Sequence, residues 1–124
     1  MFATLLQVAL GGAIGSAARY LTNVGAARLF GAGFPWGTII VNVAGSFLMG
    51  LLVALLAQRD AMRLVPFLMT GILGGYTTFS TFSLETIVLL EAGHTGHALA
   101  YMLGSALLCV ALAGGAIALT RALV

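Results

Sequence analysis

The segment Gly71 to Glu85, GILGGYTTFSTFSLE, gathers residues able to do chemistry in a chain made largely of aliphatic side chains. Paired glycines and a run of hydroxyl residues stand where the middle of an apolar helix is expected. Backbone that leaves the helix at membrane depth persists only where protein or a cavity surrounds it, and the carbonyls and half-helix ends it frees make ion sites. A continuous helix with small residues at a packing face is the other reading of the same pattern. Phe79 and Phe82 are three apart, so on a helix they share a face. Their ring edges carry positive quadrupole density and can stabilise a passing anion without a fixed charge to trap it. The same spacing also suits a core or lipid-facing stripe.

Further donors lie along the chain at Asn42, Ser46, Ser80, Thr81, Ser83, Tyr101 and Ser105. The amide of Asn42 costs free energy in hydrocarbon, so it must face a bundle interior, a neighbouring helix or a solvated cavity. An interhelical hydrogen bond would satisfy it equally well. Serine and threonine hydroxyls can also return to their own helix backbone. Glu85 and Arg19 are candidates to line aqueous vestibules, although Arg19 can also snorkel to the interface. His94 and His97 lack a third ligand and read as loop residues. The single cysteine, Cys109, follows Ser105 by one helical turn and reads as a buried, inert thiol; alone it excludes an intrachain disulfide. No nucleophile-base pair, phosphate-cradling loop or pair of carboxylates supports an enzyme.

What must position these residues follows from composition. Of 124 residues, 61% are hydrophobic and 6% charged, far below the roughly 25% charge of a soluble domain. The chain reads as a single transmembrane domain, 1–124, all α-helical. Crossing a hydrocarbon core of about 30 Å takes roughly 20 helical residues. Charge is absent from 1–18, 29–58, 64–84 and 98–120. These stretches predict helices near 2–23, 36–57, 65–91 and 97–121, the third broken near 74–78. Gly31, Gly33 and Pro35, the stretch Gln58 to Arg63, and Gly93 to Gly96 supply the breakers between them. Five arginines and three acids form no run, which argues against nucleic acid as a partner. The uncharged start lacks the charged region of a signal peptide, so residue 1 is read as the mature start.

With both termini on one side, that side holds Arg59, Arg63 and Arg121, and the other holds Arg28 and Arg19. So small an excess gives the inserting machinery almost no instruction, which predicts insertion in both orientations. Two opposed copies would then meet about a two-fold axis in the membrane plane. Gly11 to Gly15, Ser46 to Gly50 and Gly71 to Gly75 offer small-xxx-small surfaces for such packing.

The blocks GGAIGSAARY at 11–20, PWGTIIVNVAGSFLMG at 35–50 and GILGGYTTFSTFSLE at 71–85 resemble the Fluc (CrcB) fluoride channels. The resemblance implies an antiparallel, dual-topology homodimer in the bacterial inner membrane. It further implies two pores that export fluoride passively from the cytoplasm. In that family the two phenylalanines of TTFSTFS border the pores, which maps onto Phe79 and Phe82, and Asn42 matches the pore asparagine. A hydroxyl track along the third and fourth helices suggests Ser80, Thr81, Tyr101 and Ser105. A structural sodium ion at the dimer centre, held by backbone carbonyls of the third-helix break, maps onto Gly74 and Thr77. Hard cations take oxygen ligands, which suits such a site. Arg19 would raise anion concentration at a vestibule, and Glu85 would order donors near the phenylalanine pair.

Two other functions fit four short spans with little charge bias. A small multidrug-type transporter needs a membrane-embedded carboxylate, and the first helix has none. A non-conducting accessory subunit would use Asn42 and the hydroxyls for packing alone.

Overall fold

The computed structural model describes residues 1–58 and 61–123, so Arg59 and its part in the charge tally lie outside the described residues. Every regular element among the described residues is helical. Helix α1 spans Phe2–Phe30 and α2 spans Trp36–Gln58. The third of the crossings expected from the sequence is composite. A 3₁₀ turn at Met62–Leu64 leads into a π-helical run, Pro66–Leu73, and a single α-helical turn, α3 (Gly74–Tyr76). Thr77 and Thr78 are extended, at φ −80°, ψ 157° and φ −152°, ψ 119°, and α4 (Phe79–Glu91) resumes beyond them. Helix α5 spans Thr95–Leu123.

Several ends differ from those expected of the sequence, each for a local reason. Helix α1 continues past residue 23 because only Gly25 weakens the stretch before Gly31. There a positive φ of 81° ends it, and the Gly31 N–H closes on the Ala27 carbonyl at 3.0 Å. Arg28 sits in that last turn, where the helix dipole favours a cation. Gly93 plays the matching part after α4, with φ 79°. Helix α5 begins early enough to include His97, which is therefore not a loop residue. The His94 carbonyl accepts the Ala98 N–H at 2.9 Å, and the His97 ring meets Phe34 edge-on.

Helix α2 packs along α5, α4 also rests on α5, and α1 lies against the π-helical run and α3. Tyr101, 1% exposed, is at the centre of the apolar core with Leu89 and Ala98, and Phe34, Ile39 and Phe82 pack around them. Outside that core the large side chains face outward. Leu5 and Leu10 on α1 and Leu103, Leu107 and Val110 on α5 are all exposed. Apolar surface on that scale needs lipid or another subunit over it. By length and apolarity alone α2 and α5 suffice to cross a membrane. Helix α1 is diluted by Gln7, Ser16, Arg19, Thr22 and Asn23, and the third crossing is divided into pieces too short to span by themselves.

Two of the small-xxx-small pairs face each other within one chain and are not left free for a second copy. Gly11 and Gly15 bring α1 onto the π-helical run so closely that a methyl group on Gly15 would overlap the Ile72 carbonyl. One on Gly11 would meet the Phe67 carbonyl and lie 2.9 Å from Gly71 Cα. From the other side, a methyl group on Gly75 would stand 2.7 Å from the Gly12 carbonyl. Contact at backbone distance gives dispersion and Cα–H to carbonyl attraction where apolar transfer supplies no driving force. Because the obstruction is backbone, Gly15→Ala is expected to destabilise the fold by about 1–3 kcal/mol. Gly12→Ala, whose added carbon meets nothing within 4 Å, should be close to neutral. Thermal unfolding of the two variants in detergent checks the contrast.

Candidate functional site

At the break, two N–H groups that a continuous helix would use for its own ladder are taken by side chains. In an unbroken helix the Thr78 N–H would close on the Gly74 carbonyl. Here it donates to Asn42 Oδ1 at 2.8 Å, and Asn42 Nδ2 donates in turn to the Thr78 carbonyl at 2.9 Å. Likewise the Thr81 N–H would close on the Thr77 carbonyl, and instead it donates to Thr78 Oγ1 at 3.2 Å. Thr78 is thus the N-cap of α4, in the extended conformation such a cap requires. Its hydroxyl donates to Thr81 Oγ1 at 3.1 Å and lies 3.3 Å from Ser80 Oγ. Thr77 turns back, its N–H and its hydroxyl both donating to the Leu73 carbonyl at 3.0 Å. The carbonyls of Gly74 and Thr77 have therefore lost the donors that a helix would have given them.

Tyr76, just before the break, is tied to α1. The Thr22 hydroxyl donates to the Ala18 carbonyl at 3.0 Å, which leaves the Tyr76 hydroxyl to donate to Thr22 Oγ1 at 3.1 Å.

A cavity of about 440 Å³ opens beside the break, mostly apolar, with Asn42, Ser46, Thr77, Thr78 and Ser105 among its polar wall residues and the rings of Phe79 and Phe82 at its side. Phe79 is 78% exposed, whereas Phe82 is half-buried against the Tyr101 core. Their centroids are 5.4 Å apart, Phe82 to Tyr101 is 5.1 Å, and Tyr101 to Phe34 is 5.8 Å with the rings nearly perpendicular. Phe34 borders a second cavity, of about 170 Å³, between the end of α1 and the start of α2. A ladder of four rings, Phe79, Phe82, Tyr101 and Phe34, therefore runs from one cavity to the other.

Beside this ladder the Glu85 carboxylate is held on both oxygens. The Thr38 hydroxyl donates to Oε1 at 3.0 Å and the Tyr101 hydroxyl to Oε2 at 2.7 Å. Charge-assisted bonds of this kind are short and strong. Glu85 also borders the second cavity, beside Asn23 and Trp36.

The structure thus brings together most of the residues singled out from sequence, with different duties for some. Asn42, Phe79, Phe82 and Ser105 share one cavity wall, and Tyr101 lies behind Phe82. The Asn42 amide is engaged on both ends with Thr78, and the Tyr101 hydroxyl proton is committed to Glu85. Ser105 Oγ is buried with no hydrogen-bond partner. Ser80 is exposed and Thr81 half-buried at the start of α4, while Arg19 is half-buried on α1 and borders neither cavity. Cys109 is half-buried on the first cavity's wall, which corrects its reading as a fully buried thiol: α5 turns it toward the gap beside α4 instead of into the core. Sequence reasoning missed Thr38, Thr22 and Thr78. Only Thr78 carried a signal, as a threonine directly before an apolar helix with a hydroxyl three residues on.

A model of the family described as CrcB-like protein, Camphor Resistance (CrcB), matches residues 6–117. The chain is 64% identical over 102 residues to the fluoride-specific ion channel FluC of Cereibacter sphaeroides, covering 82% of each. It is 59% identical over 108 residues to FluC of Paracoccus denitrificans, covering 87% of this chain and 86% of the relative. With FluC of a Ruegeria species it shares 52% identity over 120 residues, 95% of each chain.

Removing the Asn42 amide would leave both backbone groups of Thr78 unsatisfied. Asn42→Ala is expected to speed amide exchange around residues 77–81 by about tenfold, equivalent to roughly 1–2 kcal/mol of lost local stability. Asn42→Asp should have the larger effect, because it sets a carboxylate oxygen against the Thr78 carbonyl. Hydrogen exchange read by mass spectrometry checks both.

Proposed function

This chain belongs to the CrcB-like family, and on that premise we propose that it is a fluoride-selective channel that lets fluoride leave a bacterial cytoplasm passively across the inner membrane. The observation that carries the reading is the 64% identity to a relative named as a fluoride-specific ion channel. The family is one of ion channels and not of enzymes.

Fluoride is small and strongly hydrated, so a narrow pathway must replace its water with donors and ring edges. Hydroxyls supply the donors, and the one on Ser105 is unspent. Asn42 keeps a second N–H on Nδ2 beyond the bond to Thr78 and borders the same cavity. Phe79 and Phe82 offer edges that stabilise the ion without holding it. Thr38 and Tyr101 hold Glu85 in one orientation, so that the carboxylate, a hazard to an anion, faces donors. Arg19 acts at longer range, through the potential at a vestibule.

The working unit in this reading is an antiparallel homodimer of dual topology with two pores. The exposed Phe79 ring and the uncovered apolar faces agree with a second copy over them. A sodium ion at the dimer centre is structural, and the Gly74 and Thr77 carbonyls would hold it. Both have lost their helical donors, and oxygen atoms of that kind suit a hard monovalent cation. The ion would supply fixed positive potential and a fastening between protomers. A proton-coupled drug transporter is disfavoured because α1 contains no acid.

Purified protein in liposomes, with a potassium ionophore to relieve the voltage, is expected to release fluoride with little chloride. Absence of flux from folded dimer would return the transporter and accessory-subunit readings. Phe79→Ile and Phe82→Ile are each expected to lower fluoride efflux at least tenfold, and unchanged flux in both would refute the aromatic role. Replacing sodium with a large organic cation should weaken the dimer, as measured by subunit exchange between labelled protomers.

A further inference from the structure

Cys109 occupies a position that the proposed function leaves without a task. It is one helical turn beyond Ser105 on α5, and the two share the wall of the 440 Å³ cavity with Asn42, Phe79 and Phe82. Its side chain is half-buried and borders the cavity, so the thiol is not sealed in the core. Beside it Ser105, only 5% exposed, presents a hydroxyl with no partner in the protein. A buried hydroxyl on a cavity wall is satisfied by something that enters the cavity, either water or a ligand. A thiol next to such a point meets an aqueous or ionic environment, where it can attack water-borne electrophiles.

We propose that Cys109 is a modification site on the conduction path, open to small water-soluble sulfur electrophiles, and that an adduct there closes the path. This rests on the reading that the cavity conducts. The class of reagent is an alkylthiosulfonate. The Cys109 thiolate attacks the sulfenyl sulfur, a carbon-bound S–S bond forms, and the S–SO₂ bond breaks. Methanesulfinate leaves with the electron pair, and the thiol proton passes to buffer. The added chain projects from α5 toward the phenylalanine pair and fills space an ion would cross. A thiol-reducing agent reverses the step by exchange, and because the chain has one cysteine, the product is a single defined adduct.

The test uses the full chain in liposomes and a trimethylammonium-ethyl methanethiosulfonate, whose fixed charge keeps it out of the lipid and confines attack to water-accessible thiols. Intact mass gives the adduct, and fluoride efflux gives the consequence, each protein being compared with its own untreated flux. The expected result is one adduct per chain, a loss of flux of at least tenfold and recovery with dithiothreitol, while Cys109→Ser gains no mass and loses no flux on treatment. An unmodified native protein, when the denatured protein is labelled, would overturn the accessibility of the site. Full modification with undiminished flux would overturn its place on the path, and equal inhibition of Cys109→Ser would overturn the assignment to this thiol. If untreated protein passes no fluoride, the channel reading fails, and the mass measurement still decides whether water reaches Cys109.

Discussion

Two backbone N–H groups, those of Thr78 and Thr81, decide the form of the third crossing. Left to the local ladder they would close on Gly74 and Thr77 and make a continuous helix. Asn42 takes the first and the Thr78 hydroxyl takes the second, so two residues stay extended between α3 and α4. Irregular backbone in an apolar setting must have every polar group answered by protein, cavity or ion. The long side of that requirement falls on α2, which carries an amide at the depth of the break. The Asn42 side chain answers both the donor and the acceptor of one residue, its oxygen taking the N–H and its nitrogen the carbonyl.

The rest of the molecule holds that interaction in place. Glycine contacts between α1 and the π-helical run fix the first half of the third crossing at backbone distance, and the Tyr76 to Thr22 bond ties its last turn to the same helix. The second half is held by α5 through Tyr101, whose ring packs on Phe82 and whose hydroxyl binds Glu85 one helical turn further on. The two halves are thus anchored to different partners, α1 and α5, and the extended residues bridge between them. A cavity beside such a bridge is a consequence, since neither half-helix can fill the space at the point where it ends.

Polar duties divide between holding and serving. Asn42, Thr78, Thr38, Tyr101 and Glu85 spend hydrogen bonds on one another or on backbone, which positions the rings and the break. Ser105 keeps an unspent hydroxyl, and Phe79 keeps most of its surface uncovered. Groups of the second kind mark where a solute or a second subunit is accommodated, because a buried or apolar group left unmatched costs free energy in the isolated fold.

Much of this was legible in the residues. The charge-free stretches fixed an all-helical membrane chain, because backbone in hydrocarbon has few other ways to pair its polar groups. The glycine pair and hydroxyl run at 71–83 identified the segment that departs from regular helix, and Asn42 was marked as a side chain that had to find a partner. Tertiary structure alone decided which partner it found. Spacing along α2 cannot state that an amide will meet Thr78, nor that Glu85 will be received by Thr38 and Tyr101, since those pairs lie far apart in sequence and their meeting depends on how helices cross. The same holds for the glycines: their spacing announced close approach, but whether Gly11 and Gly15 would meet another chain or the third crossing of their own was settled by packing. Local pattern determines what each segment can become, whereas the assignment of partners is a property of the whole arrangement in three dimensions.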